Sequence, residues 1–273
     1  MNGSVRFAIT LSVLAAFSFF LPLQIAQSKA APENEQQQSV LVEFFTSEGC
    51  SSCPPSDRLA IQLQNGSTGD GKVIVLSEHV DYWNHLGWKD NYSSGQYTNR
   101  QGTYAQALHQ NSVYTPEAVI DGTYGVVGSD ARSISKAIRQ CASEPKATLK
   151  LSFGEAKDAR AESQKRKVTV TTTQYPPNLR DTKAQLYIAV TEDNLKSDVR
   201  SGENGGSVLM HGAVVRSMQK MGQPVTIAEH NGLPYVGELT LDPSWKKRDL
   251  RVVAFLEDPE TQKVLGANQI KMP

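Results

Sequence analysis

Glu48-Gly49-Cys50-Ser51-Ser52-Cys53-Pro54-Pro55-Ser56-Asp57 sets two thiols three positions apart, where the apolar run Val40-Leu41-Val42-Glu43-Phe44-Phe45-Thr46 gives way to a helix start marked by Pro and Asp. The run has apolar residues on both faces, as in a central strand covered on both sides. Metal sites built on Cys-x-x-Cys ordinarily take a second pair, and the chain has 3 cysteines in all. A bridge across so short a loop adds little as a staple, roughly 1 kcal/mol less than one closing 15 residues on the chain-entropy model. Redox chemistry is therefore the leading reading; a permanent structural disulfide and capture of a soft metal such as Cu(I), with His79 as a third ligand, stay open.

Pro54-Pro55 predicts a regular helix from about residue 55 to 64, with Leu59, Ala60 and Leu63 inward. A helix N-terminus near Cys50 favours a thiolate there. Residues 73–80 form the next apolar run, so strand, helix and strand predict a right-handed crossover and a parallel pair. The carboxyl ends of parallel strands share one rim, where sites collect. His79 and Asp81 are accordingly candidates for proton transfer or orientation beside the Cys pair. Glu43, a carboxylate inside a buried strand, is a candidate base for Cys53. Trp83 and Trp88 read as a wall or lid.

Residues 94–111 are helix-like with Tyr97, Tyr104, Ala107 and Leu108 inward. Residues 113–128 read as a Pro-entered strand, an Asp121-Gly122 hairpin turn and a returning strand. Residues 131–141 close the half as a helix, with Cys141 on the apolar face of Ile134, Ala137 and Ile138, a buried small residue rather than a third redox thiol.

Beyond about Ala147 the pattern changes to eight short strand-like runs with turn signals between them, which suggests an antiparallel sandwich. The three glycines and mixed charges of residues 194–207 read as a mobile loop. No catalytic set stands out in this half, and His211 and Arg216 read as a polar pair on the outer face of a strand. The predicted organisation is residues 1–30 a signal peptide, 31–39 a linker, 40–144 an α/β domain and 145–273 an all-β sandwich-like domain.

The signal reading rests on Arg6, the uncharged run 7–23 and small residues up to Ala30, with an uncleaved anchor as the alternative. Export would place the protein in the periplasm or outside the cell, where thiols tend to be oxidised. Removing 30 of 273 residues leaves 243, and 28 basic against 28 acidic side chains become 26 against 28 through loss of Arg6 and Lys29. So neutral a surface argues against nucleic acid and anionic membranes as partners. The expected partners are exported cysteine-containing proteins or small thiols. No cofactor, no stable membrane insertion after cleavage and a monomeric state are expected.

The order of strand, Cys-x-x-Cys, helix, strand, helix, Thr115-Pro116, Asp-Gly hairpin and helix resembles the thioredoxin fold over residues 40–143. That resemblance implies a cis Thr115–Pro116 bond beside the Cys pair, with Pro116 positioning an extended substrate backbone. The chain also resembles the bacterial family called domain of unknown function 1223, through Phe44-Phe45-Thr46-Ser47-Glu48-Gly49-Cys50-Ser51-Ser52-Cys53-Pro54-Pro55, His79-Val80-Asp81-Tyr82-Trp83, Leu86-Gly87-Trp88, Tyr114-Thr115-Pro116, Gly202-Glu203-Asn204 and His211 with Val214-Val215-Arg216. Two features depart from ordinary thioredoxins. Gly49 stands where an aromatic usually precedes the first Cys, and Glu43 lies one residue farther from the pair than the buried acid of that family. A one-residue shift in a strand turns the side chain to the other face.

The expected fold is thus a thioredoxin-like α/β N-terminal domain followed by an all-β sandwich-like C-terminal domain. The expected function is that of an exported thiol–disulfide oxidoreductase, with Cys50 attacking and Cys53 resolving. A non-catalytic binding module of the cell envelope is the alternative.

Overall fold

A computed structural model describes residues 1–4, 38–66, 72–154 and 165–273. The signal-peptide reading and nearly all of the 31–39 linker lie outside the described residues. From Gln37 to Pro273 the chain forms one compact unit.

In chain order the elements are β1 (Val40–Thr46), α1 (Pro54–Gln64), β2 (Val73–His79), α2 (Gly95–Ala107), β3 (Glu117–Ile120), β4 (Tyr124–Val127), α3 (Ala131–Ala142), β5 (Thr148–Phe153) and β6 (Lys165–Gln174). There follow β7 (Lys183–Glu192), β8 (Leu195–Asp198), β9 (Val208–His211), β10 (Val214–Thr226), α4 (Ile227–His230), β11 (Pro234–Thr240), β12 (Leu250–Glu257) and β13 (Val264–Lys271).

β1 and β2 pair in parallel in the register Val40↔Val73 to Thr46↔His79, so both strands end on one rim. β3 lies antiparallel on the other side of β1, and β4 returns beside β3. The turn between them has positive φ at Asp121 and Gly122, a backbone for which Asp-Gly is well suited. Asp121 Oδ1 accepts the backbone N–H of Leu41 at 2.8 Å, while Lys146 Nζ donates to Oδ2, which ties the hairpin to β1.

The expected pairing of a thioredoxin-like α/β domain with a separate β-sandwich is overturned by one mixed eight-stranded sheet in the order β13-β12-β7-β10-β2-β1-β3-β4. The join is made at β2, where Ser77 pairs with Val214 of β10 and donates its N–H to the Ala213 carbonyl at 2.8 Å. With β1 on one side, β2 still has a buried edge whose backbone groups need partners, and β10 supplies them. Short alternating runs signal strands but carry no record of which neighbour they pair with. A smaller sheet, β11-β6-β5, packs on the large one through Leu149, Leu151, Val168 and Val170 against Leu186, Ile188 and Val190 of β7.

Each face of the large sheet has its own cover. Val40, Val42 and Phe44 pack with Ala60 and Leu63 of α1 and with Ile134, Ala137, Ile138 and Cys141 of α3. On the opposite face Leu41, Ile74 and Leu76 pack with Tyr97 of α2 and with Tyr187, Val253 and Phe255. Ser94 caps α2 by accepting from Gln96 N, and Asp130 caps α3 by accepting from Arg132 N and Ser133 N.

Candidate functional site

The Cys motif occupies the rim at the end of β1. Cys50 N donates to the Ser47 carbonyl and Cys53 N to the Cys50 carbonyl, at 3.1 and 3.2 Å, so the loop closes as two consecutive turns. The Cys53 carbonyl then accepts from Ser56 N and Asp57 N. Cys53 is the N-cap of α1 in αR conformation, φ −78° and ψ −34°, although a following proline disfavours that region. The helix therefore starts a residue earlier than the Pro-Pro argument predicts, directly on the Cys pair.

Cys50 and Cys53 form a disulfide. Both residues are 0% exposed, while Ser51 and Ser52 between them are exposed. The cover comes from far along the chain. Asn204 Nδ2 donates to the carbonyls of Glu48 and Cys50, each at 2.9 Å, and Glu203 accepts the N–H of Ser51 at 3.1 Å. Ser201 Oγ donates to the Gly87 carbonyl at 2.5 Å, fastening the same loop to the segment before Trp88. The mobile loop expected over 194–207 is thus the β8–β9 hairpin with a connection bonded onto the Cys turns.

Glu48 and Asp57, on either side of the Cys pair in sequence, belong to a buried set of acids and imidazoles. His79 Nδ1 donates to Asp90 Oδ2 at 2.6 Å, and the same oxygen accepts Glu48 N at 2.9 Å. Trp88 Nε1 donates to Glu48 Oε2 at 2.7 Å. His211 enters from β9 with Nε2 3.3 Å from Glu48 Oε1 and Nδ1 3.7 Å from Asp57 Oδ2. Its ring meets that of His79 edge-on at 5.0 Å, with Tyr92 against both. Thr46 Oγ1 donates to Asp57 Oδ1 at 2.7 Å.

The electrostatics follow from burial set against pairing. Burial pushes the Asp57 carboxyl up, and the pull of His211, His79 and Thr46 leaves it above its ordinary value. Burial also opposes charge on His79, but Asp90, with Asp57 and Glu48 beyond it, outweighs that and raises the imidazole. Asp90 runs the other way, because His79 and two backbone N–H groups overcome its desolvation and lower it. Glu48 is lowered as well, its burial offset chiefly by His211. Asp57 is thus the acid of this set most disposed to carry a proton.

The predicted site residues divide. Cys50 and Cys53 are joined by the disulfide, and His79 stands in the buried set with Asp90 and His211. Thr115–Pro116 is cis, and Pro116 is buried close to Gly128, where an added Cβ would lie 2.5 Å from Ser56 Oγ and 3.1 Å from Pro116 Cβ. Trp83 links the two segments, its Nε1 donating to Thr115 Oγ1 at 2.8 Å while its Cβ would lie 3.1 Å from a Cβ on Gly49. Asp81 turns instead to α2, where its Oδ1 accepts from Thr98 Oγ1 at 2.6 Å.

Glu43 shares the sheet face of Leu41 and Phe45, opposite α1. There it receives Arg100 Nε at 2.5 Å and Tyr104 Oη at 2.5 Å, and Arg100 Nη2 also reaches Glu257 at 2.6 Å. Its contacts are with this ion cluster and not with Cys53. The acid on the α1 face is Asp57. Asp57, Glu48 and Asp90 escaped sequence reasoning, although the i+4 step from Cys53 to Asp57 put that carboxylate in the first turn of the helix. His211 is 2% exposed, so its reading as an outer-face residue is corrected. Arg216 lies over the rings of Tyr92 and Trp245. Among the described residues no group of three or more His, Cys, Asp or Glu side chains is placed to hold a metal ion. Nor is any described helix long and apolar enough to cross a membrane.

Two solved structures share this architecture. A structural-genomics protein of Agrobacterium tumefaciens superposes with a TM-score of 0.60 at 26% identity, over 86% of this chain and 94% of its own. HBP35 of Porphyromonas gingivalis superposes with a TM-score of 0.58 at 16% identity, over 86% of this chain and 76% of its own, a likeness of fold alone. No curated protein matches the sequence. The profile described as protein of unknown function (DUF1223) matches residues 41–257, a span that holds the Cys turns, the buried acids and His211, and the chain belongs to that family.

Proposed function

We propose that the protein is an exported thiol–disulfide exchange protein working through Cys50 and Cys53. The observation that carries this reading is the placement of the short-loop disulfide at the start of α1, whose first turn carries a buried carboxyl, Asp57, that burial biases toward its protonated form. A leaving thiolate needs a proton, and a carboxyl poised nearer neutrality delivers one better than an ordinary aspartate. The exchange is a two-electron step. A substrate thiolate attacks Cys50 Sγ, the Cys50–Cys53 bond breaks, and Cys53 leaves and takes a proton. The second substrate thiolate then attacks the mixed disulfide and releases Cys50, so the substrate is oxidised and the pair reduced.

Complete burial of both cysteines favours a second reading, a binding module whose pair is never opened. Thiol trapping of the purified protein in graded glutathione buffers separates the two. A potential within roughly −120 to −270 mV, with exchange lost in Cys50→Ala, supports the exchange protein. A pair below about −300 mV, or one that trapping reagents never reach, indicates the binding module.

A further inference from the structure

We infer that Ser52 is the hydrogen-bond donor that holds Cys50 as a thiolate, so that Cys50 is the leaving group when a mixed disulfide with substrate resolves. The inference rests on the exchange reading above and adds to it a catalytic residue and a preferred direction. Ser52 Oγ lies 3.4 Å from Cys50 Sγ. A sulfur held in a disulfide carries no hydrogen, so the hydroxyl is the donor. No such donor stands against Cys53 Sγ among the described residues. The contact therefore distinguishes the two sulfurs.

The turn keeps the hydroxyl in place. Cys53 N donates to the Cys50 carbonyl at 3.2 Å, closing the turn that carries Ser51 and Ser52. From the second half of the chain, Asn204 Nδ2 donates to the same carbonyl at 2.9 Å, and Glu203 accepts the Ser51 N–H at 3.1 Å. Glu203 meets the turn as a carboxylate, which has no hydrogen to offer a sulfur. Cys50 is 0% exposed, so water is kept from its sulfur and a thiolate formed there draws its hydrogen bond from the protein.

The contact is worth less in the oxidised protein than in the reduced one. A disulfide sulfur is a weak neutral acceptor, whereas a bond to an ionised acceptor is roughly twice as strong as a neutral one. Only that difference shifts an equilibrium. It favours the reduced pair, which biases the protein toward oxidising its substrate. In the release step the second substrate thiolate attacks the substrate sulfur of the mixed disulfide. The bond from that sulfur to Cys50 Sγ breaks, the electron pair stays on Cys50, and the substrate departs as a disulfide. Ser52 keeps its proton throughout and donates to the charge as it forms.

The test has two readings in wild type, Ser52→Ala and Ser52→Thr. One is the ultraviolet titration of the Cys50 thiolate on a Cys53→Ala background, where Cys141, which burial pushes up to about 12, does not interfere. The other is the equilibrium of the intact pair with reduced and oxidised glutathione at a pH above that titration. In Ser52→Ala the equilibrium constant for reduction is expected to fall roughly three- to tenfold, and the Cys50 titration to move upward by about 0.5–1 pH unit. Ser52→Thr keeps a hydroxyl and is expected to stay with wild type. Ser52 is exposed, so neither substitution opens the core. A Ser52→Ala value equal to wild type in either measurement overturns the donor and leaves the exchange function standing. So does a shift that Ser52→Thr shows in full, since it marks a change in the packing of the turn. A wild-type disulfide that glutathione never reduces overturns the exchange reading together with this one.

Discussion

Asn204 Nδ2 bonds the carbonyl oxygens of Glu48 and Cys50 together, 2.9 Å from each, across more than 150 positions of sequence. One side chain from the second half thereby satisfies two buried acceptors of the Cys turns and shuts the disulfide away from solvent. Asn204→Ala loses both bonds, each worth about 0.5–1.5 kcal/mol net, and leaves the Glu48 carbonyl without its partner while the Cys50 carbonyl keeps only Cys53 N. The expected result is a stability loss of about 2 kcal/mol by urea unfolding together with faster reduction of the disulfide. A variant that loses stability without any gain in reduction rate would show that Asn204 holds the turns but does not gate the sulfurs.

The paired charges His79 and Asp90 give the fold a defined pH window. Asp90 is held low, so its contribution is present above the unfolded carboxyl value of about 3.9 and lost as pH falls through the lower folded value. His79 is held high, so its contribution is complete below the unfolded imidazole value of about 6.5 and lost as pH rises through the higher folded value. Asp90→Asn is expected to cost about 3–5 kcal/mol, because it leaves a buried imidazolium without its counter-ion, and to remove the alkaline decline. Chemical denaturation at a series of pH values reads both effects.

The Arg100 cluster carries a different signature. Burial, then the charges of Glu43 and Glu257, push the Glu78 carboxyl well above the ordinary range, whereas Glu43, facing Arg100 directly, ends low. A raised carboxyl penalises the fold increasingly as pH climbs from the unfolded value of about 4.3. Glu78→Gln is therefore expected to be close to neutral near pH 5 and increasingly stabilising, relative to wild type, toward alkaline pH. Arg100→Met instead strands Glu43 and Glu257 and is expected to cost about 3–5 kcal/mol. A Glu78→Gln curve parallel to wild type at all pH values would sink the account of a neutral Glu78.

Much of the first half was legible because its signals are local. Val40–Thr46 and Val73–His79 are continuous apolar runs, Pro54-Pro55 marks a helix start, and Asp121-Gly122 marks its own turn. The site's second wall was not legible. Where β10 pairs depends on the open edge of β2, and the burial of His211 depends on that pairing and on the close passage of Gly212 by Ile61. Glu43 misled for the same kind of reason. A carboxylate in a buried strand signals a partner, but the face it takes is set by alternation along β1, and the partner, Arg100, belongs to a helix whose charges gave no sign of facing inward.

Cys141 supplies the control that makes any thiol count at this site interpretable. It lies in the core beside Ile134 and Ile138, and burial, with the nearby Asp121 charge, pushes its thiol up to about 12. At pH 8 about one molecule in ten thousand then carries the thiolate, the form that reacts with alkylating agents. Native oxidised protein is accordingly expected to take up no iodoacetamide and unfolded reduced protein three equivalents, with Cys141 labelled only on unfolding. Cys141→Ser should leave the native count unchanged while lowering the unfolded count to two. A native oxidised protein that is alkylated at Cys141 would mean that the α3 face opens on the timescale of labelling, and stability measurements on this half of the sheet would then report that opening rather than global unfolding.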